Sequence, residues 1–251
     1  MTVLEQMREM LSDFSKNERR IADHILKYPY DLQRYSSTNI ADVCNVSRSA
    51  VIRFCQKLGF TGFSDFQRAV LSEYETEKKD SPASGITALD VYQTCIEQLK
   101  QNIDPAELSA VGDLMAHARR VLCYGLDHSC YSAQQMAFRL GRNQIDASYT
   151  GDSSVLGNYK HILGSGDMFI VFSISGRKSL AEYLDVFRAK RVSVILFTMN
   201  AGSALSAHAD HVLCLPSAAN SNSPYLLDDA ICFFLAIEMV IESIQKKLKQ
   251  G

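Results

Sequence analysis

The stretch from Ser36 to Leu58 constrains the fold most, because it carries two helical patterns separated by a change of phase. In each half, apolar residues recur at i, i+3, i+4 and i+7, and the phase breaks at Asn45. Asparagine tolerates the left-handed backbone that a sharp turn requires. Ser36 and Ser47 can each cap a helix by accepting a bond from an unpaired backbone N–H. The pattern therefore predicts a helix-turn-helix.

The polar face of the second predicted helix is a candidate DNA contact surface. In a helix-turn-helix, the second helix enters the major groove and its N-terminal residues meet base edges. Arginine can pair with guanine through two bonds, and basic residues four apart share a face that can reach phosphates. An αα-hairpin with a solvated polar face would show the same spacing, so spacing alone leaves that alternative open. The candidate DNA-binding residues are Ser47, Arg48, Ser49, Ala50, Arg53 and Lys57.

The 18 contiguous residues from Val46 to Phe63 closely resemble a known signature. That signature, V-S-x-x-T/A-V/I-x-R-F-x-x-x-L-G-F/Y-x-G-F/Y, belongs to the RpiR family of bacterial transcriptional regulators. Arg53 matches the recognition-helix arginine of the family, and Phe54 follows it as in the signature. The resemblance implies operator DNA as a partner and a C-terminal SIS (sugar isomerase) domain.

Residues 1–75 predict an all-helical head that contains the helix-turn-helix. Ser15 and Glu18 form a candidate capping box at the start of a helix, and Pro29 should end that helix. Gly59 is a candidate C-terminal cap, and a last helix should reach about Tyr74. Residues 76–86 combine charges with serine, proline and glycine, so we interpret them as a linker to a second domain at 87–251.

The second domain alternates short apolar runs with helical stretches, which is typical of a parallel, doubly wound α/β sheet. A long apolar helix, from about Leu226 to Leu248, closes the chain, and we expect part of its wide apolar stripe to pack against a second subunit. The predicted strands are Val121–Tyr124, Ala147–Thr150, Met168–Phe172, Val192–Phe197 and His211–Leu215.

Two polar loops follow the first and third predicted strands. Ligands of open α/β sheets bind at the carboxyl ends of strands, and hydroxyls and N–H groups at a helix N-terminus suit a phosphate. Ordinary cap and turn residues would also be serine and glycine, so the loops alone leave that interpretation open. The candidate ligand-binding residues are Gly125, Asp127, His128, Ser129, Ser173, Ser175, Gly176, Lys178 and Ser179.

The two loops resemble the signature segments of the SIS domain, G-x-G-x-S and S-x-S-G-x-S/T. This resemblance implies a flavodoxin-like fold, with a parallel five-stranded sheet flanked by helices. It also implies a phosphorylated sugar or amino sugar as ligand, and dimerisation. By motif position, Ser129, Ser173 and Ser175 match the phosphate-contacting serines of the family, and Gly176 matches its glycine.

The loops depart from the family pattern at two positions. Asp127 stands where the family usually has its second glycine, and Lys178 stands where it has serine or threonine, one residue before Ser179. A carboxylate about 5 Å from a phosphate costs on the order of 3 kcal/mol at an effective dielectric constant near 20. Arg177 or Lys178 could offset this repulsion, or Asp127 could turn away and cap the helix. Otherwise the ligand is not a standard sugar phosphate, or the site is vestigial.

Charge and composition narrow the class of protein. Residues 1–70 hold 10 basic and 8 acidic residues, a net charge of +2, whereas the whole chain has a net charge of −2. This modest excess suits a homodimer or homotetramer that presents several heads to DNA. The chain has no 18-residue apolar run and no signal-peptide centre, so we expect no membrane partner and a cytoplasmic location. Seven cysteines without a C-x-x-C pair predict reduced thiols, with no metal and no cofactor.

No catalytic residue emerges from the sequence. An SIS isomerase needs a base, usually glutamate or histidine, and His128 lies in the first loop while His161, His208 and His211 lie near other predicted strand ends. No paired acid and base accompanies them. The sequence therefore favours a ligand-responsive transcriptional regulator that is not an enzyme. A sugar-phosphate isomerase with a helical head remains an alternative, as does a constitutive DNA-binding dimer whose SIS domain only oligomerises.

Overall fold

The computed structural model describes residues 2–29, 31–80, 87–176, 178–200, 202–218 and 227–249. The chain divides into two compact units. One comprises Met1–Ala88 with Ala219–Leu227, and the other comprises Leu89–Ala218 with Asp228–Gly251. The boundaries predicted from the sequence, 1–75, 76–86 and 87–251, stay predictions, and residues 81–86 lie outside the described residues.

The described part of the first unit is helical. The hydroxyl of Ser15 accepts a bond from the N–H of Glu18, and the Glu18 carboxylate accepts one from the N–H of Ser15, so the predicted capping box is confirmed. Gly59 has a φ of 93°, the left-handed conformation expected after the helix-turn-helix. The helices are α1 (Val3–Glu9), α2 (Lys16–Lys27), α3 (Asp31–Arg34), α4 (Ser37–Cys44), α5 (Arg48–Lys57) and α6 (Phe63–Asp80), with a 3₁₀ turn at Met10–Asp13.

Phe54 of α5 lies at the centre of the first core. Its ring is fully buried, 5.3 Å from the ring of Phe14 and 6.0 Å from that of Phe66, both in edge-on geometry. Aromatic pairs in this geometry add to the stability that their buried area provides. Because Phe54 is one residue from Arg53, its packing fixes the rotation of α5 and the direction of the outer face of that helix.

The second unit contains a five-stranded sheet in the order β2-β1-β3-β4-β5, with every pair parallel. All five predicted strands are confirmed, and so is the flavodoxin-like α/β fold class. The strands are β1 (Arg120–Gly125), β2 (Ala147–Thr150), β3 (Asp167–Phe172), β4 (Ser193–Thr198) and β5 (His211–Cys214). The helices are α7 (Ala88–Asn102), α8 (Pro105–Ala116), α9 (Ser129–Arg142), α10 (Ser153–Ile162), α11 (Ala181–Ala189) and α12 (Ala230–Leu248), with 3₁₀ turns at Lys178–Leu180 and Ala204–His208.

The sheet is packed on both faces. Side chains of β1 alternate, so Val121 and Cys123 join one cluster, with α8, α9 and α12, while Leu122 and Tyr124 join another, with α10 and α11. Every residue of β3 is buried. Burial on both faces is what a parallel sheet covered by crossover helices requires. The loops after the strands are therefore carried on a filled, rigid base.

Two helix boundaries differ from the sequence predictions. The last helix of the head, α6, continues through Asp80 instead of ending near Tyr74, because its Glu- and Lys-rich end consists of good helix formers without glycine or proline. The closing helix begins at Ala230 instead of about Leu226, with Asp229 at its N-cap position. No helix among the described residues is long and apolar enough to cross a membrane.

Candidate functional site

The turn between α4 and α5 has the geometry that the sequence predicts. Asn45 is left-handed, with φ 52° and ψ 51°, and its N–H donates to the carbonyl of Asp42 at 3.2 Å. The hydroxyl of Ser47 accepts a 3.2 Å bond from the N–H of Ala50 and so caps α5. Ser36 caps α4 in the same way. Two capped helices therefore meet at a tight turn of fixed geometry.

Arg48, Ser49 and Arg53 are exposed along the outer face of α5, whereas Ala50 is half-buried. The Nε of Arg48 donates to the hydroxyl of Ser37 at 3.2 Å, which restrains the guanidinium against the first turn of α4. Among the described residues, neither arginine forms an ion pair with a carboxylate. The outer face thus presents two arginines whose positive charge is not neutralised within the head.

Lys57, four residues after Arg53 on α5, directs its ammonium toward the start of α2. Its ammonium is 3.0 Å from the Glu18 carboxylate and donates to the carbonyl of Asp13 at 3.1 Å. It also lies over the ring of Phe14, 5.4 Å from the centroid. Partial burial acts to raise the pKa of Glu18, but the Ser15 N–H and the Lys57 ammonium together hold that pKa below its ordinary value. The contacts of Lys57 bind α5 to the segment before α2, and its contact with DNA stays a prediction.

Strand order brings the two ligand loops together in the second unit. Gly125, the last residue of β1, is paired with Phe172, the last residue of β3, and Phe172 is paired with Phe197 of β4. The strands are parallel, so the segments that follow them leave the same edge of the sheet side by side. This is the edge at which open α/β sheets bind ligands.

The first loop is held close to the start of α9. A Cβ atom on Gly125 would lie 2.2 Å from the carbonyl oxygen of Ser129, so no larger residue fits there. The N–H groups of Ser129 and Cys130 donate to the carbonyls of Leu126 and Asp127, at 2.9 and 3.0 Å. The side chain of Ser129 is buried, with the residue 9% exposed. Because those N–H groups already have partners, this loop offers an anion mainly side chains.

Asp127 retains the backbone conformation of a glycine. It is exposed and left-handed, with a φ of 50°, at the position where the family usually has glycine. Aspartate and asparagine are the side chains that enter this conformation most readily. The N-cap position of α9 is His128, one residue later, and its side chain makes no capping bond. The exposed His128 instead has its Nδ1 3.7 Å from the carboxylate of Asp228.

The second loop is shaped by its own serine and glycine. The hydroxyl of Ser173, which is buried, accepts a 3.1 Å bond from the N–H of Gly176. Gly176 has a φ of 64°, and a Cβ atom there would lie 1.7 Å from the hydroxyl of Ser203. The hydroxyl of Ser203 donates to the Gly176 carbonyl at 3.2 Å. A glycine is therefore required at 176 for two separate reasons, backbone conformation and lack of space.

The last residue of β4 and the segment after it hold three successive carbonyls of this loop. Thr198 donates its hydroxyl to the carbonyl of Ile174 at 3.2 Å, and the amide of Asn200 donates to that of Ser175 at 3.0 Å. The carbonyl of Gly176 is bonded to Ser203 as described. Because a trans peptide directs its C=O and N–H to opposite sides, the N–H of Ser175 points away from this segment, whereas the N–H of Gly176 donates to the hydroxyl of Ser173. Sequence reasoning missed these three supporting residues, although they form a third polar run after a strand.

The remaining predicted ligand residues follow the loop. Lys178 begins the 3₁₀ turn that ends at Leu180, and Ser179 is exposed on that turn. Arg177, considered as a residue that offsets the charge of Asp127, lies outside the described residues. Lys178 and Ser179 therefore belong to the same loop as Ser175, and their contact with a ligand stays a prediction.

Other reactive groups lie away from the loops or are buried. His208 bonds Asp185 at 2.7 Å and His211 bonds Glu107 at 2.8 Å, both on the amino side of β5. His128 alone of the four histidines considered adjoins the first loop. All seven cysteines lie within the described residues as free thiols, as predicted. Five are buried, and burial raises the pKa of Cys44 and Cys55 to about 12.

Comparison with known families identifies a domain in each of the two units. A model described as "Helix-turn-helix domain, rpiR family" matches residues 1–77, and the SIS domain model matches residues 114–239. The chain belongs to the RpiR family. The helix-turn-helix of this RpiR protein consists of α4 and α5, and its SIS domain contains the sheet and both ligand loops.

Curated relatives match most of the chain. Over 207 residues the chain is 31% identical to the "Bifunctional protein glk" of Burkholderia mallei and to that of Paraburkholderia xenovorans. Each match covers 78% of this chain and 32% of the relative. The chain therefore spans about a third of the length of these curated relatives.

Solved structures match the fold. The Vibrio vulnificus NanR protein complexed with ManNAc-6P aligns over 99% of this chain and 93% of its own, with a TM-score of 0.67 and 20% identity. The sugar isomerase domain of an RpiR transcription factor from Sphaerobacter thermophilus aligns over 63% of this chain and 89% of its own, with a TM-score of 0.56 and 19% identity. At these identities the likeness shows the fold.

Proposed function

We propose that the chain is a DNA-binding transcriptional regulator whose SIS domain binds a phosphorylated sugar or amino sugar as effector. The outer face of α5 carries the proposal. It combines a capped, tightly turned hairpin with exposed arginines that have no carboxylate partner in the described head. Exposed arginines on the capped second helix of such a hairpin are the groups that this helix presents to DNA.

The residues of α5 would contact different parts of the DNA. With α5 in the major groove, Arg48 and Ser49 in its first turn reach base edges, and Arg53 reaches bases or phosphates one turn later. Ser47 and Ala50 form the capped start of the helix and would lie against the DNA backbone beside the major groove. Lys57 acts through Glu18, by fixing the end of α5.

The effector would bind with its phosphate at the second loop. The N–H and the hydroxyl of Ser175 are the donors of this loop that would meet the phosphate, since the N–H of Gly176 already donates to the hydroxyl of Ser173. NanR of Vibrio vulnificus, which shares the fold over nearly the whole chain, was solved with ManNAc-6P. Asp127 lies on the neighbouring loop, where an exposed carboxylate favours the hydroxyl or amino groups of the sugar over a second anion.

An isomerase is the second candidate, and the contact between His128 and Asp228 favours it. A histidine beside a carboxylate could act as the base that moves a proton next to a carbonyl. This proposal predicts interconversion of an aldose phosphate and a ketose phosphate by the purified chain, with loss of turnover in His128→Ala. We propose the regulator instead, because a helix-turn-helix gives ligand binding a sufficient purpose.

The regulator would act on paired half-sites. We propose a homodimer or homotetramer in the bacterial cytoplasm, because two heads with a modest positive charge bind DNA better than one. An effector would then alter operator affinity by favouring one placement of the heads over another.

DNA binding is tested by selecting duplexes from a random library with the purified chain and measuring the affinity for the selected duplex by fluorescence anisotropy. Arg53→Met should weaken binding by about 1–3 kcal/mol, roughly 5- to 150-fold in dissociation constant. Arg8→Met, which removes an exposed arginine from α1, is the matched control and should bind like the wild type. Equal affinity of the two variants would exclude α5 as the recognition helix.

The effector is tested by thermal unfolding against sugar phosphates, amino-sugar phosphates and their unphosphorylated forms. A ligand at a hundred times its dissociation constant should stabilise the protein by about 2.7 kcal/mol. Ser175→Ala should abolish the shift, whereas Ser12→Ala, an exposed serine of the helical head, should keep it. No shift with any compound would support the alternative in which the SIS domain only oligomerises.

A further inference from the structure

A hydrogen bond between the two helices of the helix-turn-helix determines how one arginine is presented. Ser37 is the first residue of α4, and Arg48 is the first residue of α5. The Nε–H of Arg48 donates to the hydroxyl of Ser37 at 3.2 Å. Ser37 is 8% exposed, and polar groups buried to this extent are normally hydrogen-bonded. The guanidinium of Arg48 is therefore held by its Nε edge against the start of α4.

This bond leaves Arg48 with one edge that can form two hydrogen bonds at once. A guanidinium has five N–H groups in a rigid planar fork, and the four that remain belong to the two terminal nitrogens. No carboxylate pairs with them in the part of the chain that the structure describes. Because the fork is rigid, fixing the Nε edge also fixes the direction of the terminal edge.

The neighbouring side chains of α5 are less suited to a two-bond contact at this place. The hydroxyl of Ser49 lies 3.0 Å from that of Ser47, which accepts a bond from the N–H of Ala50. Ser49 is thus engaged with the helix cap. Arg53 lies about 7.5 Å further along the helix and about 140° around it, so the two arginines leave α5 in different directions. Within the first turn, Arg48 is the side chain that can form two bonds to one base.

We infer that Arg48 recognises one guanine in each operator half-site and that Ser37 is the residue that positions it. The first residues of a recognition helix meet base edges. In the major groove, guanine presents two adjacent acceptors, O6 and N7, whereas adenine presents an acceptor beside an amino donor. The terminal edge of Arg48 matches the pair on guanine. The inference rests on the proposed regulator, and it adds which base one residue selects and what holds that residue.

Ser37 would act on selectivity and not on charge. Without its hydroxyl, the guanidinium of Arg48 keeps its charge but rotates freely, so ordering it for a two-bond contact costs more entropy. A single bond to a phosphate makes no such demand on the fork. Loss of this hydroxyl should therefore lower the preference for guanine at one position. A residue that only stabilised the hairpin would instead lower the affinity for every sequence alike.

The base contact is tested with the full chain and a duplex selected from a random library. Each base pair of a half-site is replaced in turn, and dissociation constants are measured by fluorescence anisotropy at two salt concentrations. For the wild type, replacing one G·C pair should weaken binding about 5- to 150-fold. Arg48→Lys keeps the charge without the planar fork, so this preference should fall below about threefold while the salt dependence is unchanged. If Arg48→Lys kept every base preference, Arg48 would contact phosphate and the inference would fail.

The positioning role is tested by Ser37→Ala on the same set of duplexes. The preference at the G·C pair that depends on Arg48 should fall about three- to tenfold, with the other preferences within about twofold of the wild type. Ser12→Ala, which removes an exposed hydroxyl from the same unit, is the matched control and should keep all preferences. An unchanged preference in Ser37→Ala, or an equal loss at every position, would overturn the role of Ser37. A wild-type chain that selected no duplex would refute the proposed regulator as well, so the two failures are distinguishable.

Discussion

Replacing Gly176 by alanine tests the geometry on which the effector site depends. The new methyl group meets two obstacles. A side chain at a φ of 64° destabilises the loop by about 1–2 kcal/mol. The Cβ atom would also lie 1.7 Å from the hydroxyl of Ser203 and 2.4 Å from its Cβ, an overlap that costs about 1–3 kcal/mol. The hydrogen bond from Ser203 to the Gly176 carbonyl is lost with it, at about 1 kcal/mol.

We therefore expect Gly176→Ala to lower the free energy of unfolding by about 3–6 kcal/mol. Ser203→Gly alone should cost about 1–2 kcal/mol, because Ser203 also caps the 3₁₀ turn that follows. In the double variant the overlap disappears while the backbone strain remains. Its loss should therefore be smaller than the sum of the single losses by about 2 kcal/mol or more.

Urea unfolding followed by far-ultraviolet circular dichroism measures all three variants. Gly157→Ala is the control, since Gly157 lies in α10 with no atom within 4 Å of an added Cβ and without a positive φ. That change should stabilise the chain by about 0.5–1 kcal/mol. If Gly176→Ala behaved like Gly157→Ala, or if the losses of unfolding free energy were strictly additive, the close contact between Gly176 and Ser203 would be refuted.

Changes at three further residues have definite outcomes. Lys57→Met should weaken operator binding less than about threefold, because the charge of Lys57 is already neutralised by Glu18. A loss of operator affinity as large as that of Arg53→Met, measured by fluorescence anisotropy, would contradict this. Asn45→Gly should be nearly neutral, whereas Asn45→Val should cost about 1–2 kcal/mol in urea unfolding and should also lower operator affinity. Burial acts to raise the pKa of Asp167, but Arg119 and the N–H of Gly164 hold that pKa below its ordinary value. The stability that the Asp167 carboxylate provides is therefore present above about pH 4, and it is lost as pH falls through the lower pKa of the folded state. Asp167→Asn should flatten the acid limb of a stability–pH curve, and an unchanged limb would show that this carboxylate does not govern it.

Local features of the chain could be predicted from the sequence. The five strands, the capping box at Ser15 and the left-handed turn at Asn45 each depend on residues within a few positions of one another. Their outcome follows from periodicity, hydroxyl caps and the tolerance of asparagine for positive φ.

Contacts between distant residues could not be predicted. Lys57 turns toward Glu18, 39 positions earlier, and Asn200 supports a loop 25 positions before it. Such pairs are chosen by tertiary packing, which a single sequence does not display. The start of the closing helix at Ala230 was missed for a related reason, because an apolar pattern does not distinguish a helical turn from a buried extended segment.

The double-sided packing of the sheet has a consequence for how such proteins diversify. The central strands β1, β3 and β4 are locked by neighbours above and below, so substitutions within them are selected against whatever the protein senses. Exposed positions beyond the carboxyl edge do not carry this packing constraint, although Gly125 and Gly176 are fixed there by lack of space. A lineage can therefore acquire a new chemical signal by exchanging single exposed loop residues while inheriting its scaffold unchanged.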